Sequence, residues 1–173
     1  MSEKLILDAC CGSRMFWFNK TQKNTIFIDS RTYDKGYIDN RPNRELHPDI
    51  IMDFTKLNFP DKKFKHIVMD PPHLIGKTLG CRMTRTYGAL NPETWQADLK
   101  KGFDECWRVL DDYGTLVFKW NESSVKRSEL LKLLGREPLY GHPNGSKIPT
   151  HWFVFMKIPE VALNNRQETK EIK

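Results

Sequence analysis

The sequence predicts an α/β fold with an open, doubly wound and mostly parallel sheet. The first observation is a set of four short apolar runs that each close on an aspartate. They are Leu5–Leu7 before Asp8, Thr25–Ile28 before Asp29, Asp49–Met52 before Asp53 and His66–Met69 before Asp70. Strands buried on both faces of a parallel sheet read as such continuous apolar runs. The second observation is that apolar runs alternate with helix-like segments. The third is where the carboxylates fall. Ligand crevices of open α/β sheets lie beyond the carboxyl ends of the strands, so the four aspartates are expected along one binding edge.

The remaining elements follow in order. Asn91 and Pro92 form a helix start, a capping residue followed by proline at the first helical position. Trp95, Leu99, Phe103, Cys106 and Leu110 then recur at helical spacing, an apolar stripe expected to face the sheet. A stop is expected at Asp111–Gly114. Thr115–Lys119 reads as a fifth strand, Ser128–Leu134 as a short helix ending near Gly135, Pro138–Tyr140 as an edge strand and His151–Met156 as the last strand. Residues 1–158 are expected to form a single domain, with residues 159–173 as a polar tail.

Composition narrows the class. The chain has 173 residues, 39% hydrophobic and 12% aromatic, which is a globular balance. No apolar run approaches the roughly 20 residues of a membrane helix, and Met1–Lys4 leads directly into a strand without a secretory leader. A cytoplasmic protein without membrane attachment is expected. The four cysteines, Cys10, Cys11, Cys81 and Cys106, have neither zinc-site spacing nor the pattern of a disulfide framework, and no metal is expected. A net charge of +6 is compatible with a polyanionic partner.

Two long connections leave the aspartate edge. Ser30–Pro48 carries Arg31, Tyr33, Lys35, Tyr37, Arg41, Arg44 and His47; Leu74–Leu90 carries Lys77, Arg82, Arg85 and Tyr87. Basic and aromatic residues interleaved on such loops suit phosphate contacts and base stacking, so DNA or RNA is the expected partner. Arg82, Arg85 and Tyr87, with Lys119 and Trp120 at the end of the fifth strand, are the candidate substrate-binding residues.

The first strand runs into Asp8-Ala9-Cys10-Cys11-Gly12-Ser13-Arg14, a turn with one glycine. It lacks the three-glycine dinucleotide fingerprint, which argues against a plain NAD enzyme. Asp29, with Ser30 after it, ends the next strand at about the distance from which an acid accepts from ribose hydroxyls. Asp53 is positioned to accept from an adenine amine, with Phe54 packed on the ring.

On these residues the chain resembles a class I S-adenosylmethionine-dependent methyltransferase over nearly its whole length. Asp8, Gly12, Asp29, Asp53 and Asp70 follow the family's order of acid, central glycine, ribose acid, adenine acid and catalytic motif. Val109–Phe118 resembles the family's helix-turn-strand passage after that motif, while Cys10 and Arg14 replace two glycines common there. The resemblance implies a Rossmann-like, seven-stranded sheet whose last two strands form an antiparallel hairpin. It also implies S-adenosylmethionine as cofactor and S-adenosylhomocysteine as product, held by Asp8, Ala9, Cys10, Cys11, Gly12, Ser13, Asp29, Ser30, Asp53, Phe54 and Asp70.

Asp70-Pro71-Pro72-His73 resembles the Asp-Pro-Pro-Tyr motif of methyltransferases that act on amino groups of adenine or cytosine. Its chemistry suits a conjugated exocyclic amine, whose delocalised lone pair makes it a poor nucleophile. The Asp70 carboxylate and the Pro71 carbonyl would accept from the amine hydrogens and draw the nitrogen towards a tetrahedral shape. Pro71 and Pro72 stiffen the turn, and His73 replaces the aromatic that stacks on a flipped base. Methylation of a cytosine carbon would instead need a cysteine nucleophile, and no Pro-Cys pair is present. A small-molecule or protein methyltransferase and a non-catalytic cofactor-binding module are the alternative readings. The sequence specifies no oligomeric state.

Overall fold

The computed structural model describes residues 3–76, 82–144 and 147–159. Its strands are β1 (Ile6–Asp8), β2 (Thr25–Asp29), β3 (Ile50–Ile51), β4 (Phe64–Met69), β5 (Leu110–Asn121), β6 (Tyr140–Asn144) and β7 (Thr150–Met156). Its helices are α1 (Arg82–Tyr87), α2 (Trp95–Val109) and α3 (Arg127–Leu134). They form one seven-stranded sheet in the order β3-β2-β1-β4-β5-β7-β6. β1 to β5 run parallel, and β7 pairs antiparallel with both β5 and β6. The order reverses between β1 and β4, where Asp8 lies opposite Val68. Such a switch point opens a crevice at the strand ends.

The expected stripe on α2 buries Trp95, Leu99, Phe103 and Cys106 against the sheet, where they join Leu116, Phe118 and Phe155. α3 adds Leu130 and Leu134 to the same core. It stops at Gly135, whose φ of +69° is the left-handed cap that glycine adopts freely.

Four expectations are corrected. The run Asp49–Met52 yields only the two-residue β3, and both isoleucines are exposed because β3 is a sheet edge. α2 begins at Trp95: the Asn91 side chain accepts from the Glu93 amide at 2.9 Å and opens a separate turn first. Asp111–Gly114 is no stop between elements. β5 runs on from Leu110, and its register against β4 shifts between the Phe64 and His66 pairs. Tyr113 takes φ +60° in this bulge and donates its amide to the Lys157 carbonyl at 2.7 Å. The edge strand begins at Tyr140, after Pro138.

Among the described residues no helix lies in the connections from β1 to β4. Turns take the place of crossover helices there. The Ser30–Pro48 connection is closed at its neck by paired Tyr33 and Leu46, each amide bonded to the other's carbonyl at 2.9 Å, over buried Ile38 and Leu46. The Leu74–Leu90 connection is closed by the Leu90 amide on the Leu74 carbonyl at 2.8 Å and contains α1, so it is not wholly loop. Lys77, Cys81 and the expected tail from residue 160 lie outside the described residues.

Candidate active site

The turn after β1 is tied to both neighbouring strands. The Ala9 amide donates to the Val68 carbonyl and the Cys11 amide to the Ile28 carbonyl, each at 2.9 Å. The Gly12 amide donates to Asp29 Oδ2 at 3.0 Å, and Gly12 takes φ +49° with open space where a side chain would stand. Arg14 takes φ +52°, a glycine-like conformation for the residue that replaces a glycine. Its side chain holds it there. The guanidinium donates to the Lys20 carbonyl at 2.6 Å and to the His47 carbonyl and Asp49 at 3.0 Å, and stacks over the Phe27 ring.

A cleft of about 590 Å³, its open mouth included, runs along this edge. Ala9, Cys10, Cys11, Gly12, Ser13, Asp29, Ser30, Phe54, Asp70, Pro72 and Tyr87, all candidates from the sequence, line it. Met15, Phe16, Arg31, Met52 and Thr86 line it as well.

Two expected cofactor contacts are corrected. Asp8 is fully buried behind the turn, where it accepts from the Trp17 indole at 2.7 Å and from the Cys10 amide. Burial pushes its pKa up to about 7, against the pull of the indole hydrogen bond. Asp8 braces the turn and does not face the cleft. Asp53 is exposed and accepts from the Thr55 amide at 2.8 Å as a turn cap. Met52 and Phe54 on either side of it line the cleft, and Asp53 does not. Phe54 fits because α2 carries Gly102 beneath it, where any Cβ would overlap the ring.

Asp29 has a further partner that the strand pattern did not reveal. Arg31 donates through Nε to Oδ1 at 3.0 Å and through Nη2 to Oδ2 at 3.2 Å. Its Nη1 is buried without a hydrogen-bond partner. An arginine two residues after a strand-ending acid was the available signal.

At the end of β4, Asp70 Oδ2 accepts from Lys119 Nζ at 2.6 Å. Burial raises the Asp70 pKa, and the Lys119 charge opposes the rise. The ammonium lies 5.6 Å from the centres of both the Phe16 and Trp152 rings. Pro71 is buried, and His73 packs on Tyr87 with ring centres 5.7 Å apart. Burial, with Lys119 nearby, lowers the His73 pKa, so the ring is neutral at pH 7.

The candidate substrate residues divide. Lys119 and Tyr87 are at the site. Trp120 points to the other sheet face, 1% exposed, with its indole donating to the Val125 carbonyl at 2.9 Å. It is a core residue, as strand alternation after Lys119 requires. Arg82 and Arg85 are exposed on α1, outside the cleft wall. Burial pushes the thiols of Cys10, Cys11 and Cys106 up, so none of them is a thiolate nucleophile at neutral pH.

No protein-family model matches the chain, and no curated protein matches it in sequence. Solved structures match it in fold. An S-adenosylmethionine-dependent methyltransferase from Methanosarcina mazei is 15% identical with a TM-score of 0.53, over 91% of this chain and 94% of that one. The 1,6-didemethyltoxoflavin-N1-methyltransferase of Burkholderia thailandensis, solved with that substrate and S-adenosylhomocysteine, is 13% identical with a TM-score of 0.53, over 89% and 71%. A cyclase, SpnF, is 13% identical with a TM-score of 0.54, over 88% and 74%. The chain has the Rossmann-like fold of S-adenosylmethionine-dependent methyltransferases. The cyclase illustrates that this fold hosts more than one chemistry.

Proposed function

We propose that the protein is an S-adenosylmethionine-dependent methyltransferase acting on an exocyclic amine of a nucleobase in DNA or RNA. The observation that carries the reading is that Asp70, followed by two prolines, opens into the same cleft as the Gly12 turn and Asp29. The donor set suits the cofactor. Asp29 is the acid for its ribose, Met52 and Phe54 are apolar walls for its adenine, and the Ala9–Ser13 turn with open space over Gly12 is a cradle for its amino-acid end. When bound, the cofactor supplies an electrophilic methyl group on its sulfonium.

The chain's own residues do the rest. Asp70 Oδ1 is free of Lys119, which bonds Oδ2, and is available to accept from the acceptor amine. Lys119 favours the ionised carboxylate against the burial that favours the neutral acid. Phe16, Trp152 and Tyr87 provide apolar surface that excludes water and strengthens these interactions. Neutral His73 supports Tyr87 from behind. The basic connections are the proposed contact to nucleic acid.

A methyl-transfer assay tests the reading. Labelled methyl from S-adenosylmethionine is offered to unmethylated DNA, total RNA and a small-molecule extract, with wild type and Asp70→Ala. Label in nucleic acid that vanishes in the variant is expected. Label only in the extract would move the assignment to a small-molecule enzyme, the class of the 1,6-didemethyltoxoflavin-N1-methyltransferase that shares the fold. Cofactor binding without transfer to any acceptor would make the protein a binding module.

A further inference from the structure

A second cleft, about 1230 Å³ with its open mouth, shares Gly12, Ser13 and Met15 with the candidate active site. Its remaining charged walls come from two connections. Arg14 and Lys20 follow β1; Arg41, Arg44, Glu45 and His47 precede β3. Four permanent cations thus face one carboxylate. That carboxylate already leans towards Lys35 at 4.0 Å, and Arg14 is engaged by Asp49. Lys20, Arg41 and Arg44 form no ion pair with the described residues.

The arginines are held in place. Successive turns bond the Arg41 amide to the Ile38 carbonyl at 2.9 Å and the Arg44 amide to the Arg41 carbonyl at 3.0 Å, over buried Ile38. Phe18, two residues before Lys20, is fully exposed. A concave wall on which Lys20, Arg41 and Arg44 stand without a carboxylate partner suits the phosphates of a nucleic-acid strand, and the exposed ring two residues from Lys20 in sequence offers a stacking surface for a base.

We propose that this cleft binds the phosphodiester backbone of a single nucleic-acid strand and delivers the target base across the shared wall to Asp70. The proposal rests on the nucleobase reading above. It adds the path of the strand and the residues that hold it, including Lys20 from a segment that the sequence did not mark as basic.

The test measures fluorescence anisotropy of labelled single-stranded DNA and RNA oligonucleotides over a salt series, with S-adenosylmethionine affinity measured by calorimetry on the same preparations. Arg41→Ala/Arg44→Ala is expected to weaken oligonucleotide binding about tenfold or more and to flatten the log–log salt slope by about 1.4, at about 0.7 per single-strand phosphate contact. Lys20→Ala is expected to flatten it by about 0.7. Cofactor affinity should hold in both variants, which shows that they fold. Lys101→Ala/Lys132→Ala removes the same charge from α2 and α3 and should leave binding within about twofold, since its cations lie outside the cleft. The proposal is overturned if wild type binds cofactor but no oligonucleotide, if the arginine pair has no effect, or if the control pair weakens binding equally. Absence of cofactor binding by wild type would overturn the methyltransferase reading itself, whatever the oligonucleotide does.

Discussion

The Lys119 ammonium lies 2.6 Å from the Asp70 carboxylate, across 49 residues of sequence and two neighbouring strands. Parallel pairing of β4 with β5 sets this up, because Met69 stands opposite Phe118 and the next residue of each strand meets at the crevice. The pair decides the charge of Asp70. Burial favours the neutral acid, and Lys119 favours the carboxylate. Lys119→Met keeps a long apolar stem between Phe16 and Trp152 and removes the charge. The Asp70 pKa then rises further, so the acid limb of the kcat/KM profile moves to higher pH and part of the lost rate returns on the alkaline side. Asp70→Asn should lose about 100-fold or more at every pH, because the charge itself is gone. An acid limb that stays in place in Lys119→Met would contradict this account.

Asp8 makes stability depend on pH. Its folded pKa of about 7 lies above the ordinary value of 3.8. Between those values the folded state holds a proton that the unfolded state has lost, so stability falls as pH rises through this window. The slope approaches about 1.4 kcal/mol per pH unit. Asp8→Asn stays neutral and keeps an acceptor for the Trp17 indole. Its urea midpoint should vary less with pH than that of wild type between pH 4 and 7, with the largest gain over wild type near and above pH 7.

Gly102 tests whether Phe54 forms a cofactor wall. Alanine at an exposed helix position would gain about 1 kcal/mol over glycine. Here the added methyl overlaps the Phe54 ring. Gly102→Ala should therefore lose stability and weaken S-adenosylmethionine binding about tenfold, as the ring is driven towards the cleft. Adding Phe54→Leu should recover the stability but not the affinity. Recovery of both would show that the ring is only packing.

Trp120→Phe separates the core from the site. The variant leaves the Val125 carbonyl without its donor and opens a gap. It should cost about 1–3 kcal/mol in chemical denaturation. Cofactor affinity at a temperature where the variant is folded should not change. A raised KM with unaltered stability would return Trp120 to the substrate site.

Much of this arrangement was legible in the residues, and each failure has its own cause. Runs ending in Asp29 and Asp70 marked strand ends at the crevice, since a buried strand leaves little room for other readings. Asp8 ends such a run too, yet Trp17 folds back over it, a tertiary contact no strand pattern records. Trp120 fails by alternation, since one step along β5 from Lys119 turns the side chain to the other face. Asp53 fails because it opens a turn and caps it through the Thr55 amide. The Asp111–Gly114 segment looked like a turn because it has turn residues. Pairing with the chain around Lys157 makes it a bulge instead. Lys119 became the partner of Asp70 only once the sheet set β4 beside β5, whereas Arg31 stands two residues from Asp29 and was within reach of a sequence reading.

The helix-free connections from β1 to β4 divide the molecule in durability. On one side α2 and α3 seal β4, β5 and β7 beneath a thick apolar layer. On the other, β1 and β2 send Leu7 and Ile28 into the same layer, but the connections around them are turns fastened by polar clasps such as Asp29 with Arg31 and Arg14 with Asp49. Elements with fewer apolar contacts open at lower free energy. Amide hydrogens of β2 should accordingly exchange sooner than those of β5, and a ligand that grips Gly12 and Asp29 should slow that exchange most. The half of the protein that recognises the cofactor would then be the half whose order the cofactor completes.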